Sequence, residues 1–201
     1  MTGKLFIISA PSGAGKTSLA RALIAGSSNC KMSISHTTRQ RRANEIDGQD
    51  YFFVEKADFL EMVETGVFLE YAQVYGNYYG TSRLAVEEML NKGVNVLLDI
   101  DWQGARLVRK QMPAAVSVSI LPPSVTELER RLRSRGSDSE DVIAARMKQA
   151  YDEMAHCREA HFIVLNDDFN LALDDLTLIL SGEGDRIRPL DLDLDKLIDS
   201  K

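Results

Sequence analysis

Lys16 and Thr17 stand side by side at the end of a loop of small residues, Ser9-Ala10-Pro11-Ser12-Gly13-Ala14-Gly15, and the apolar run Leu5-Phe6-Ile7-Ile8 leads into it. Glycine lets a backbone curl until several consecutive N–H groups point at one anion. A helix that opens at Gly15 or Lys16 adds the positive end of its dipole. Lys16 then reaches the β- and γ-phosphates of a nucleotide, and the Thr17 hydroxyl takes a place on Mg²⁺. Ala10 replaces the first glycine of the pattern G-x-x-x-x-G-K-[ST], so the curvature falls to Gly13 and Gly15. A Gly-rich turn without a ligand is the plainer reading; the strand before it and the amphipathic helix after it favour the nucleotide.

Four further groups carry chemistry. Arg39, Arg41 and Arg42 form a basic island that meets no acid between Cys30 and Asn44. Glu70 lies inside a strand pattern, where a glutamate is uncommon without a partner. Asp99 and Asp101 close an apolar run, and acids at the carboxyl end of a parallel strand face the ligand crevice. Arg130, Arg131, Arg133 and Arg135, with Arg146 further on, line two helices joined by Gly136-Ser137-Asp138-Ser139 and read as a lid. Arginine suits phosphate because its planar fork binds two oxygens and stays protonated. Plainer readings stand beside these: Arg41 in solvent, Glu70 paired with Arg39 or Arg42, and Tyr51 and Tyr79 as packing aromatics.

The elements that must position these groups alternate. Helical patterns cover 16–26, 57–65, 83–92, about 104–112, the stretch after Ser124, 140 to about 157, and 170–180. Strand patterns cover 5–9, 31–35, 51–54, 68–74, 94–99, 116–121 and 162–165, and 76–82 reads as a turn. Ser124 and Glu127 have capping-box spacing. This alternation predicts an α/β fold, a parallel sheet wrapped by helices on both faces. A chain of 201 residues, 44% hydrophobic, suits one domain with a proper core. Residues 183–201 shift to charge with single leucines and read as a mobile tail or an inter-subunit arm, and Trp102 is expected in the core. No apolar run approaches the ~18 residues of a membrane span, and no signal-peptide core follows Met1. A cytoplasmic protein without a membrane partner is expected. The net charge of -6 argues against a general nucleic-acid binder. Cys30 and Cys157 belong to no metal spacing and read as reduced thiols.

Taken together, the motifs resemble those of bacterial guanylate kinases. The matching segments are Ser9 to Thr17, Ser35-His36-Thr37-Thr38-Arg39, Asp50-Tyr51-Phe52-Phe53, Gly76-Asn77-Tyr78-Tyr79-Gly80-Thr81, Asp99-Ile100-Asp101-Trp102-Gln103-Gly104, and Arg131-Leu132 through Arg135-Gly136 with Arg146. The resemblance implies a P-loop NTPase core wrapped by helices (about 1–32, 94–124 and 158–182), with a small mixed α+β GMP-binding subdomain (about 33–93) and a helical lid (about 125–157). These make one domain over 1–182, with 183–201 as a charged C-terminal tail. It implies ATP binding by Pro11, Ser12, Gly13, Ala14, Gly15, Lys16, Thr17 and Ser18, with Arg131, Arg135 and Asn166. It implies GMP binding by Ser35, Arg39, Arg42, Tyr51, Glu70, Tyr79, Thr81, Asp99 and Asp101. Lys16, Arg39, Arg42, Arg131, Arg135 and Arg146 would serve catalysis, and Thr17 and Asp99 the Mg²⁺. The family commonly has proline where Arg41 stands.

The base assignment also has a chemical argument. Guanine offers two adjacent donors, N1–H and the 2-amino group, and a carboxylate is the acceptor-only group that takes both. Adenine would leave Glu70 a desolvated, unmatched charge. The implied reaction is ATP + GMP giving ADP + GDP by direct in-line transfer. Two rivals remain: a non-catalytic module of the same fold that binds phosphopeptides, and a kinase for another small phosphorylated acceptor. Use of dGMP and assembly into a homo-oligomer are left open.

Overall fold

A computed structural model describes residues 2–74, 76–134 and 139–199. The chain runs β1 (Leu5–Ser9), α1 (Lys16–Gly26), β2 (Cys30–Met32), β3 (His36–Thr37), β4 (Phe52–Phe53), α2 (Lys56–Glu64), β5 (Phe68–Val74), β6 (Asn77–Ser82) and α3 (Arg83–Asn91). It continues through β7 (Asn95–Asp99), α4 (Trp102–Gln111), β8 (Val116–Leu121), α5 (Val125–Ser134), α6 (Glu140–Ala155), β9 (Phe162–Leu165), α7 (Phe169–Ser181) and α8 (Leu194–Asp199).

Alternation along the strands builds two core layers. Phe6 and Ile8 of β1 face one side with Leu97, Val118 and Val164, and pack against Leu19 and Leu23 of α1 and Leu176 and Ile179 of α7. Leu5 and Ile7 face the other way with Val96 and Leu98, against Val86 and Leu90 of α3 and Val108 of α4. Residues buried on both faces of a strand are the mark of a covered parallel sheet, and the order is β2-β7-β1-β8-β9 with every neighbouring pair parallel. Helix α1 leaves β1 towards β2 on one face, while α4 leaves β7 on the other face and crosses towards β8. The carboxyl ends of β1 and β7 therefore lie where the chain turns opposite ways, and a crevice opens there.

The second sheet, β4-β3-β6-β5, is mixed: β3 pairs with β4 in parallel and with β6 antiparallel, and β5 and β6 form a hairpin. Here the structure corrects the expected turn at 76–82. Pairing on both sides, Ala72 opposite Tyr79 and Thr37 opposite Tyr79, holds residues 77–82 extended. Gly80 lies flat beneath Phe59 and Phe68, where a Cβ would come within 3.0 Å of both rings. The expected strand 31–35 ends early, as β2 at Met32, so Ser35 falls in the link between the sheets just before β3, and Tyr51 precedes the short β4 rather than lying within it.

The tail differs most from expectation. Leu192, Leu194, Leu197 and Ile198 pack on a third apolar cluster with Leu128 of α5 and Ala150 and Met154 of α6. Arg158 holds Asp195 at 2.6 Å, and Arg188 is bonded to Asp175, Asp167 and the Leu165 carbonyl. The apolar spacing 194, 197, 198 makes one helical face, which the alternating leucines and aspartates of 190–195 disguise.

Candidate active site

The loop between β1 and α1 starts the site. Gly13 and Gly15 sit at φ +97° and +93°, in the left-handed region open to glycine. Space alone would also exclude a side chain: a Cβ on Gly15 would meet Asn166 Nδ2 at 2.4 Å. Asn166, at the end of β9, donates that amide to the Ala14 carbonyl at 2.7 Å and so fastens the loop from behind. Gly15 caps α1 without a side-chain bond, and no acid lies in the first turn, so no capping side chain takes up the N–H groups that open the helix.

Lys16 Nζ crosses to the end of β7, 2.6 Å from Asp99 and 3.0 Å from the Ile100 carbonyl. Burial pulls this ammonium down, yet Asp99, with Glu153 and Asp101 behind it, more than offsets that and raises it above the ordinary lysine value. Opposite stands Glu70, 5% exposed. Thr81 Oγ1 donates to its Oε1 at 2.5 Å. Burial, reinforced by Asp101 and opposed by the Thr81 bonds, pushes the Glu70 carboxyl up to about 7. No arginine is bonded to it among the described residues, so the plain salt bridge with Arg39 or Arg42 is not formed.

One crevice of about 370 Å³ gathers most of the expected residues. Pro11, Ser12, Gly13, Gly15, Lys16, Thr17 and Ser18 form its donor wall. Ser35, Arg42, Tyr51, Glu70 and Tyr79 form the facing wall, with Asp99 and Asp101 from the end of β7 and Arg146 from α6.

The decisive comparison is with families of known proteins: the guanylate kinase family model matches residues 2–183. The chain belongs to the guanylate kinase family. Guanylate kinase from Yersinia pestis is 57% identical over 183 residues, covering 90% of this chain and 88% of that protein. Guanylate kinase from Escherichia coli K12 is 55% identical with the same coverage. The crystal structure of guanylate kinase from Anaplasma phagocytophilum superposes with a TM-score of 0.76 at 36% identity, covering 91% of this chain and 87% of that one. The chain is thus an enzyme, a nucleotide-binding kinase with the P-loop fold.

Within this kinase several expected residues lie outside the crevice. Ala14 is fully buried beneath the loop, in the cluster of Leu121 and Leu128. Thr81 is buried behind Glu70. Asn166, expected among the ATP-binding residues, has its amide occupied by the loop. Arg39 donates to Glu45 at 2.7 Å and lies over the rings of Tyr51 and Phe53. The Glu45 bond outweighs partial burial and raises the Arg39 guanidinium further. The basic island thus finds its acid immediately past Asn44. Arg131 is bonded to Glu127 at 2.8 Å and to the Asn166 carbonyl at 3.0 Å, and Arg130 and Arg131 hold the Glu127 carboxyl at about 2. Arg135 falls outside the described residues. Trp102 is not in the core; it is half-buried, stacked on His156 at 3.6 Å, with the Arg106 guanidinium 4.9 Å from its ring centre and 3.3 Å from His156 Nδ1.

One charged crevice residue escaped sequence reading. Glu153 of α6 lies two helical turns beyond Arg146, so both fall on one face, and that spacing was the available signal. Burial, opposed by Lys16 and helped by Asp101, pushes its carboxyl up to about 7, and its Oε2 is buried with no partner among the described residues.

Proposed function

We propose that this kinase transfers the γ-phosphoryl group of ATP to GMP, giving ADP and GDP. The observation that carries the reading is the pair of facing walls: a phosphate loop whose lysine is held by Asp99, and across the crevice a buried acceptor-only carboxylate braced by Thr81. Guanine presents the two adjacent donors that such a carboxylate accepts. Adenine, cytosine and uracil do not present that pair alongside, and a desolvated carboxylate left unmatched excludes them by a large factor.

The chain's own groups then have defined tasks. The N–H groups that open α1 hold the donor phosphates, and Lys16 offsets the charge that grows on the transferring group. Ser35, Arg42, Tyr51 and Tyr79 lie on the facing wall, where they bind the acceptor phosphate and leave its attacking oxygen pointed at the loop. Arg146 lines the crevice from α6. Phosphoryl transfer needs positioning and charge stabilisation and no covalent enzyme intermediate.

Mg²⁺ suits the donors present. The Thr17 side chain opens α1 at the crevice and Asp99 lines it from the end of β7, a hydroxyl and a carboxylate, hard oxygens of the kind this ion takes together with phosphate oxygens and water. Held by Thr17 and Asp99, such an ion would supply positive charge to offset that of the donor phosphates. Domain boundaries follow the same division: a core, an acceptor-binding region over about 33–93, and a lid over about 125–157.

The test is ADP release with ATP and Mg²⁺ and each of GMP, dGMP, AMP, CMP and UMP. Rapid release with GMP and little with AMP, CMP or UMP is expected. Equal rates with AMP would end the guanine assignment, and preference for another monophosphate would favour a different acceptor.

A further inference from the structure

Guanine recognition, the reading on which this inference rests, requires the Glu70 carboxylate at one place. Glu70 reaches that place from β5 just past a β-bulge between Phe68 and Glu70, an irregularity that re-aims a side chain. Thr81 holds Oε1. Oε2 lies against the bare backbone of Gly104: a Cβ there would stand 2.6 Å from Oε2, 3.2 Å from the carboxyl carbon and 3.4 Å from Asp101 Oδ1.

Nothing about the backbone of Gly104 calls for glycine. The residue lies in the first turn of α4, is absent from the positive-φ glycines, and donates its N–H to the capping Asp101 Oδ1 at 2.8 Å. Alanine is the stronger helix former. Helix formation therefore favours a methyl group at this position, and the neighbouring carboxylate forbids it. Because the obstructing atom is the far end of a side chain, a methyl at 104 is accommodated by moving Glu70 rather than by unfolding α4.

We propose that Gly104 is a positioning residue for acceptor choice: its missing side chain is the space into which the Glu70 carboxylate is set, at the distance guanine needs. Glycine here is a specificity determinant that touches no substrate.

The experiment compares the wild-type enzyme, Gly104→Ala, Glu70→Ala and the double variant, by steady-state kinetics with GMP and AMP and by thermal unfolding. Gly104→Ala is expected to raise the KM for GMP about tenfold or more, as for a displaced charge-assisted bond. It is also expected to narrow the GMP-over-AMP ratio of kcat/KM, and to leave the KM for ATP and the melting temperature near wild type. In the Glu70→Ala background the same substitution should not raise the KM for GMP further. A KM for GMP within about twofold of wild type overturns the proposal, and so does an equal rise in both backgrounds, since an effect through the helix alone would be additive. If Gly104→Ala melts early, removing the Glu70 side chain should restore stability; failure to restore it also overturns the proposal. A Glu70→Ala enzyme that keeps the wild-type preference for GMP marks a different failure, that of the guanine reading, and the inference falls with it.

Discussion

At the scale of single residues, Lys16 is already in place: its bonds to Asp99 and the Ile100 carbonyl fix the ammonium at the end of β7. Such preorganised charge is what phosphoryl transfer uses, and removing one stabilising donor costs about 10²–10³ in kcat. Lys16→Ala should show that loss in ADP release while circular dichroism and melting stay near wild type; turnover near wild type would remove Lys16 from the chemistry. Glu70 carries a pH signature. With its carboxyl at about 7, the folded state holds a proton there that the unfolded chain, near 4.5, has released. Stability from this group is therefore full below 4.5 and falls as pH rises from 4.5 through about 7. GMP acts oppositely, because guanine's donors need the ionised form. The KM for GMP should rise as pH falls below about 7, approaching tenfold per unit, and binding should release a proton, readable by calorimetry in buffers of different ionisation enthalpy. Glu70→Gln should melt several degrees higher at pH 8, from a stability gain of about 1–3 kcal/mol, and lose the pH dependence of GMP affinity. Residue types announced the donor loop because its chemistry is local in sequence. The partners of Arg39 and Arg131 were not legible: Glu45 and Glu127 lie close by in the chain, but only the fold shows that the guanidiniums turn to them.

At the scale of elements, the strands of the parallel sheet were legible because burial on both faces leaves continuous apolar runs; β8 was expected at 116–121 and lies at Val116–Leu121. Strand β6 was not, because its glycines and tyrosines carry turn chemistry and its extended form comes from pairing with β3 and β5. Helix α8 was missed for a related reason: six residues form no stable helix alone. Its stability comes from docking Leu197, 5% exposed, on Ala150, Met154 and Leu128. That contact joins the C-terminal segment, beyond the residues 2–183 of the family match, to α5 and α6. Leu197→Ala should cost about 2–5 kcal/mol of stability, read as a lower midpoint in urea. Because the same cluster contains Ala14 of the phosphate loop, the KM for ATP should rise alongside. A variant with unchanged midpoint would mean that α8 contributes nothing to the packing of α5 and α6.

At the scale of the whole molecule, the charge around the crevice calls for rearrangement when phosphates arrive. Glu70, Asp99, Asp101 and Glu153 outnumber the basic side chains lining it, Lys16, Arg42 and Arg146, while the incoming phosphates add further negative charge. Arg39 and Arg131 wait at the edges on Glu45 and Glu127, and exchanging those carboxylates for phosphate oxygens would draw both walls inward. Closure of this kind excludes water from the γ-phosphoryl group and completes the site only when both substrates are present. The walls have a built-in reporter. Trp102, the one tryptophan of the chain, joins the start of α4 to His156 at the end of α6 by ring stacking at 3.6 Å. Movement of α6 over the donor should change that stack. With a non-hydrolysable ATP analogue and GMP together, the radius of gyration from small-angle scattering should fall and the Trp102 emission should change, each more than with either nucleotide alone. Scattering and emission that stay constant while both nucleotides are demonstrably bound would mean that the walls do not close, and that transfer proceeds in an open crevice.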